Sequence, residues 1–244
     1  MMITDRARIG IMICSAKRPQ MLLDCLHSLI RQESDPAWQV EICVIENDQT
    51  PHSQAAILDL AEHSPFAIHY AQEPRRGIPF ARNKALEEAV SRSYDWIGFV
   101  DDDQIIRPGF LHAHMRAIAK YQADVSQGAV IYHYEKQPPA WWPPVQLSTK
   151  PAGEPLKRAA TGNVFFSAAL AGAPAHLRFN TLFLYGYEDL DFFERANQQG
   201  FKIIWTPDAV VEEVVPVSRV EPGRLIGWVQ SSAAAHVQAG IIRK

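Results

Sequence analysis

Trp96-Ile97-Gly98-Phe99-Val100-Asp101-Asp102-Asp103 sets an apolar run directly against three carboxylates. Aromatic and β-branched residues in such a run read as a buried strand, and the acids stand where that strand ends. Adjacent carboxylates repel one another, and burying even one unpaired charge is costly. The cluster therefore needs a metal ion, a basic partner or open water. Hard divalent ions bind carboxylate oxygen, and Mg2+ is commonly shared between one or two carboxylates and the phosphates of a substrate. A solvated acidic turn accounts for the same local pattern, so the rest of the chain has to decide.

Upstream, residues 9–14 are a short apolar run broken by Ser15-Ala16-Lys17-Arg18-Pro19, and residues 21–30 resume at helical spacing. Residues 40–45 read as a second strand ending in Glu46-Asn47-Asp48, with Thr50-Pro51 leading into a helix over 55–61. A third strand at 67–70, a loop at 72–79 holding Arg75, Arg76 and Gly77, and a helix at 81–91 bring the chain to the strand at 96–100. Strands alternating with helices predict an α/β domain with a mostly parallel central sheet flanked by helices. In such sheets ligands bind outside the carboxyl ends of the strands, near a switch in strand order. Three of the four strand ends carry polar groups suited to a nucleotide: Ser15 to Arg18, Glu46 to Asp48, and Asp101 to Asp103. Polar residues end most strands, so their expected convergence adds support without deciding the matter.

Downstream, Arg107-Pro108-Gly109 opens a helix running to Tyr121, and residues 124–134 read as a strand. The alternation then stops at Pro138-Pro139-Ala140-Trp141-Trp142-Pro143-Pro144, too rich in proline for a helix or a central strand. Trp141 and Trp142 form either a lid and sugar-stacking platform or a loop pinned to the body. Thr161-Gly162-Asn163 precedes an apolar run at 164–166, and a helix is predicted over 192–199, stopped by Gly200. Glu188, Asp189 and Asp191 stand at that helix start, where the dipole favours anions. Capping explains one of them; three suggest a general base working opposite a metal. Two strands are expected at 201–205 and 209–215, separated by Thr206-Pro207-Asp208. Glu212 and Glu213 fall on opposite faces of the second, one of them inward. Residues 224–244, with Leu225, Ile226, Trp228 and Val229, form a helix candidate that covers the domain or touches a membrane surface, the sparse charge favouring the first.

Composition narrows the class. At 244 residues with 47% hydrophobic side chains the chain has ample material for a core, and a net charge of −3 gives no general basic field for nucleic acid. Cys14, Cys25 and Cys43 are odd in number and lack Cys-x-x-Cys spacing, which fits a reducing, cytoplasmic compartment. No apolar run approaches the ~20 residues that span a bilayer, so a soluble protein, or one peripheral at the inner face of the membrane through its C-terminal segment, is expected.

Taken together these residues resemble the inverting family 2 glycosyltransferases of the GT-A fold, in the right order over residues 9 to about 219. Cys14-Ser15-Ala16-Lys17-Arg18-Pro19 followed by Leu22, Cys25, Leu26 and Leu29 is similar to the family's first strand and helix. Val44-Ile45-Glu46-Asn47-Asp48 resembles its second strand end, with Glu46 where an aspartate usually contacts the base. Gly77 with Ala81-Arg82-Asn83 resembles the glycine loop and helix start, Asp101-Asp102-Asp103 the Asp-x-Asp motif, and Gly186-Tyr187-Glu188-Asp189 the Glu-Asp motif. Pro207-Asp208-Ala209-Val210-Val211 leads to Glu213 where many members carry a histidine metal ligand, and a carboxylate there still suits a hard cation.

The resemblance implies a GT-A nucleotide-diphospho-sugar transferase domain over 1–223, with a donor half to about 125, an acceptor half over 126–223 and a helical extension at 224–244. It implies donor binding by Ser15, Lys17, Arg18, Glu46, Asp48, Gly77, Arg82, Asp101 and Asp102. Asp103 and Glu213 would hold Mn2+ or Mg2+, and Asp189 would act as base. Trp141, Trp142, Glu188 and Asp191 fall on the acceptor side. The implied partners are a nucleotide-diphospho-sugar and a hydroxyl acceptor, a glycan or a lipid-linked sugar. A sugar nucleotidyltransferase and a non-catalytic sugar-nucleotide sensor are the competing classes; the Glu-Asp element counts against the first and Asp189 against the second.

Overall fold

Ile9, Ile11 and Ile13 alternate with Met12 along the first strand, so each face of that strand needs a partner layer. The computed structural model, which describes residues 6–143, 148–184 and 186–242, supplies both. In chain order the elements are β1 (Ala7–Ser15), α1 (Pro19–Leu29), β2 (Trp38–Glu46), α2 (Gln54–His63), β3 (Ala67–Gln72), α3 (Ile78–Ser91), β4 (Trp96–Asp101) and β5 (Gln104–Ile106). Then come α4 (Phe110–Tyr121), β6 (Val125–Tyr134), β7 (Pro155–Leu156), β8 (Asn163–Ser167), α5 (Glu188–Gln198), β9 (Ile203–Val215) and α6 (Pro222–Ile242). Pro144 of the proline-rich loop, Tyr185 and the last two residues of the C-terminal segment lie outside the described residues.

The strands form one sheet in the order β3-β2-β1-β4-β8-β6-β9-β5, with β7 also on β9. β3, β2, β1 and β4 run parallel, as the alternation predicts. Past β4 the sheet becomes mixed: β8 is antiparallel to β4 and β6, β9 returns parallel to β6, and β5 closes antiparallel on β9. Both expected halves therefore share a single sheet. Ile9, Ile11 and Ile13 pack with Leu22, Leu26, Ile57, Phe110 and Met115 of α1, α2 and α4 on one side. Met12, Ile97 and Phe99 pack with Ala85, Leu86, Phe192 and Phe193 of α3 and α5 on the other. Gly98 serves this packing, since a Cβ there would sit 2.4 Å from the Phe165 ring.

Two boundaries differ from the sequence reading. The strands expected at 201–205 and 209–215 are one strand, β9, whose register against β6 shifts between Gly128 and Ala129. Thr206 pairs with Gly128 and Val210 with Ala129, so Pro207, Asp208 and Ala209 bulge out, accommodating a proline that has no N–H to give the ladder. Asn163 stitches this bulge, its Nδ2 donating to the carbonyls of Ala129 (2.8 Å) and Ala209 (2.9 Å). Its Oδ1 pairs with Nε2 of the fully buried His114, while Nδ1 of that ring lies 2.8 Å from Ser126 Oγ. Burial pushes the His114 ring down to about 4, so it stays neutral and serves the bond network. The second difference is α5, which begins at Glu188 rather than 192, because Gly186 and Tyr187 both take positive φ and turn the chain straight into the helix. Among the described residues no helix is long and apolar enough to cross a membrane, and α6 leaves Ile226, Val229 and Val237 exposed.

Candidate functional site

Because β1, β2 and β4 are parallel neighbours, their carboxyl ends lie side by side, and the register sets Ser15 against Glu46 and Cys14 against Asp101. Above them opens a cleft of about 410 Å³, lined by Ser15, Arg18, Asn47, Asp101, Asp102, Asp103, Glu213 and Arg219 among others. The expected convergence of strand ends is present. Glu213 arrives from β9, where it pairs with Gln104 and Tyr132, while its neighbour Glu212 takes the opposite face and bonds to Arg107.

The acidic cluster is paired with basic groups. Asp102 is buried and accepts from Ser15 Oγ (2.7 Å) and Arg18 Nη1 (3.2 Å), and the same Arg18 nitrogen donates to Asp103 (3.1 Å). Arg219 spans Asp103 Oδ2 and Glu213 Oε1, at 2.5 Å each. Burial, with repulsion from Asp103, pushes the Glu213 carboxyl up to about 7 against the pull of Arg219. Asp101 is pushed up to about 6 by its place on the cleft floor and by Asp103 and Asp102, with Arg82 opposing. Its side chain is 44% exposed, however, so water weakens the burial contribution and carboxylate repulsion is the more durable cause.

The residues present fit a divalent ion. Two carboxylate oxygens that reach one guanidinium also reach one hard cation, and Mg2+ is held by one or two carboxylates with substrate phosphates completing the shell. Among the described residues no three His, Cys, Asp or Glu side chains gather to hold a metal by themselves, which agrees with a site completed by a ligand.

On the other side of the cleft Arg82, from the first turns of α3, bonds to Glu188 and lies 3.8 Å from Asp101. Gly77 makes the turn before that helix with φ +129, and its N–H donates to Asn47 Oδ1 (3.1 Å). Glu188 is buried, and its second oxygen has no hydrogen-bond partner. Burial pushes its carboxyl up to about 7, with Arg82 pulling it down. Asp189 is oriented by two backbone N–H groups, Leu190 (2.7 Å) and Thr161 (3.3 Å). Asn83 adds a two-way bond to the backbone of Phe179, tying α3 to the segment that leads into the Glu-Asp turn.

Several expected site residues are placed elsewhere. Glu46 is fully buried, and its carboxylate accepts from the N–H groups of His52 and Ser53 and from Tyr70 Oη, so it anchors the start of α2 and no oxygen is left for a base. Lys17 turns to Asp48 (3.4 Å) rather than to the acid cluster. Asp191 faces the protein body, paired with Arg195 (2.8 Å). Neither tryptophan is among the described residues that line the cleft: Trp142 Nε1 donates to Tyr134 Oη (3.2 Å) and Trp141 packs edge-on against it with ring centroids 6.0 Å apart. Packing against the body describes them better than a platform within this cleft. Arg219, Asn47 and Thr161 are the contributors that sequence reasoning missed. Asn47 was legible in the strand-end motif, whereas Arg219 carries no local signal.

Comparison with known proteins gives the geometry a context. The chain is 29% identical over 222 residues to the succinoglycan biosynthesis protein ExoM of Rhizobium meliloti (strain 1021), covering 88% of this chain and 69% of that protein. It superposes with a TM-score of 0.68, at 18% identity, on the mannosyltransferase PcManGT from Pyrobaculum calidifontis in complex with GDP-Man and Mn2+, covering 99% of this chain and 66% of that one. S. aureus TarS residues 1–349 in complex with UDP-GlcNAc gives 0.67 at 16% identity, over 85% of this chain and 58% of that one. At these identities the solved structures show the shared GT-A fold, and the chain spans only part of their length. The model of glycosyl transferase family 2 matches residues 10–172, well over half of the sequence, and the chain belongs to that family.

Proposed function

We propose that the chain is a metal-dependent inverting glycosyltransferase that moves a sugar from a nucleotide-diphosphate donor to an acceptor hydroxyl. The observation that carries this reading is the place of Arg82, which bonds to Glu188 of the Glu-Asp turn while lying 3.8 Å from Asp101 at the strand end. A donor-side acid and an acceptor-side acid are thereby held about one cleft, as transfer between two bound molecules requires. Neighbours that bind UDP-GlcNAc and GDP-Man support a nucleotide-sugar donor, and a relative named for succinoglycan biosynthesis supports a glycan or lipid-linked sugar as acceptor.

In this mechanism Arg18 and the cleft rim receive the diphosphate, and Asp103 with Glu213 would hold the divalent ion. When bound, that ion supplies Lewis-acid neutralisation of the leaving diphosphate. Asp189 takes the proton of the acceptor hydroxyl as that oxygen attacks the anomeric carbon. The bond from the anomeric carbon to the diphosphate oxygen breaks, its electron pair leaves with the diphosphate, and attack from the opposite face inverts the centre. The Thr161 and Leu190 N–H groups keep the Asp189 carboxylate aimed during this step.

Asp189→Asn tests the reading. Asparagine preserves the shape and an accepting oxygen but cannot take a proton, so turnover should fall by about two to four orders of magnitude with donor affinity retained. Near-normal turnover would instead mark Asp189 as a helix cap, for which asparagine serves almost as well.

A further inference from the structure

Asp103 and Glu213 are already joined by a cation of the protein's own. Arg219 spans their oxygens at 2.5 Å each, from the short 3-10 turn Val217–Arg219 between the end of β9 and the start of α6. A guanidinium and a divalent ion cannot occupy the same two oxygens, because like charges a few ångströms apart repel strongly even when partly screened. One of them has to leave when the other enters.

Resting on the metal and diphosphate reading above, we propose that Arg219 is the resident counter-ion of the metal carboxylates. It is displaced when the divalent ion enters with the donor, and its guanidinium then pairs with the donor diphosphate. Three features carry this. Arg219 is mobile in kind: its side chain is 36% exposed, and its turn is held by backbone bonds within 216–220 rather than by the sheet. Second, its release has a destination, since the fork of a guanidinium matches phosphate oxygens and the same cleft wall carries Arg18 for the same charge. Third, the remaining nearby arginine is committed elsewhere, because Arg82 is buried against Glu188. The cleft thus keeps its acids neutralised before the donor arrives and turns that neutralising group toward the leaving diphosphate afterwards.

The experiment is a pair of titrations on the full chain and on Arg219→Met. Mn2+ alone, followed by the paramagnetic resonance of the free ion, should bind about tenfold more tightly to R219M than to wild type, because the competing cation is gone. UDP, GDP and dTDP with saturating Mn2+, followed by calorimetry, should show the opposite sign, the nucleotide that binds wild type binding R219M about tenfold more weakly. Unchanged Mn2+ affinity, or both affinities falling together as for a purely structural prop, overturns the proposal. Arg219→Lys guards against a misfolded R219M: it keeps the charge but loses the fork, so it should tighten Mn2+ by about threefold while retaining most nucleotide affinity, and no tightening overturns the proposal again. If no nucleotide diphosphate binds wild type with Mn2+, the donor reading and this inference fall together. Nucleotide binding with an unmoved Mn2+ affinity sinks this inference alone.

Discussion

The cleft holds two carboxylate clusters, each neutralised by arginine, and they differ in depth. On the acceptor side Arg82 and Glu188 have side chains only 9% and 3% exposed. On the donor side Arg18 and Arg219 are 45% and 36% exposed and share Asp102, Asp103 and Glu213. Removing one partner of a buried pair leaves an uncompensated charge in low dielectric, whereas exposed pairs are screened and contribute little. The deep pair is therefore a permanent part of the framework, and the shallow cluster is one whose cations can exchange. A single cleft thus contains both a fixed charge, where the acceptor base must be aimed, and replaceable charges, where a donor and its metal must come and go.

The contrast is broken most severely by Arg82→Met, which should cost about 3–5 kcal/mol of folding stability, the range for leaving a buried ion unpaired. Urea denaturation at neutral pH measures it; a loss under about 1 kcal/mol would place Arg82 in the same class as the exposed arginines.

A smaller effect follows from Glu188. Its folded-state carboxyl stands at about 7, above its ordinary 4.5, so between those values the folded protein binds a proton that the unfolded chain has released. The contribution of this group to stability is fully present below about 4.5 and is lost as pH rises to about 7. Glu188→Gln should flatten the stability profile across that window, by about 1–3 kcal/mol between its ends. Denaturant midpoints collected every half pH unit for both proteins provide the check, and parallel profiles would show that Glu188 does not carry this titration.

The smallest effect is expected on the donor side. Arg18→Met should change stability by no more than about 1 kcal/mol, and salt should shrink even that, because exposed pairs are screened within about 10 Å at 0.1 M. Thermal melts at low and high salt decide it. A loss comparable to that of Arg82→Met would end the distinction between fixed and exchangeable cations.

Local pattern made much of this legible. The alternation of apolar runs with helical spacing through residue 100 carries the parallel half of the sheet, because side-chain period reports backbone type directly. Asp101 to Asp103, Gly77, Arg82 and the Glu-Asp turn announced themselves as polar groups at element ends, where a parallel sheet places its ligands. Past β4 legibility fades. β8 inserts between β4 and β6, and β9 reads as two strands because Pro207 breaks the pattern, although the continuity of the strand is kept by Asn163 from another element. Glu46 is a parallel lesson. A carboxylate at a strand end is the same in sequence whether it faces a ligand or caps a neighbouring turn, and the three donors gathered on it come from residues 6 to 24 positions away.

The sequence by itself determined the class of layers, the family resemblance and the identity of the acids at the strand ends, since each of these is written in short stretches whose physics is local. Only the tertiary structure decided which cation each acid meets. Arg82 reaches Glu188 across 106 positions and Arg219 reaches Asp103 across 116, and neither pairing has a local signature. Side-chain pairing across a cleft is fixed by strand order and register. In this chain strand order departs from chain order at β8, so the distribution of fixed and exchangeable charge exists only once the sheet has formed.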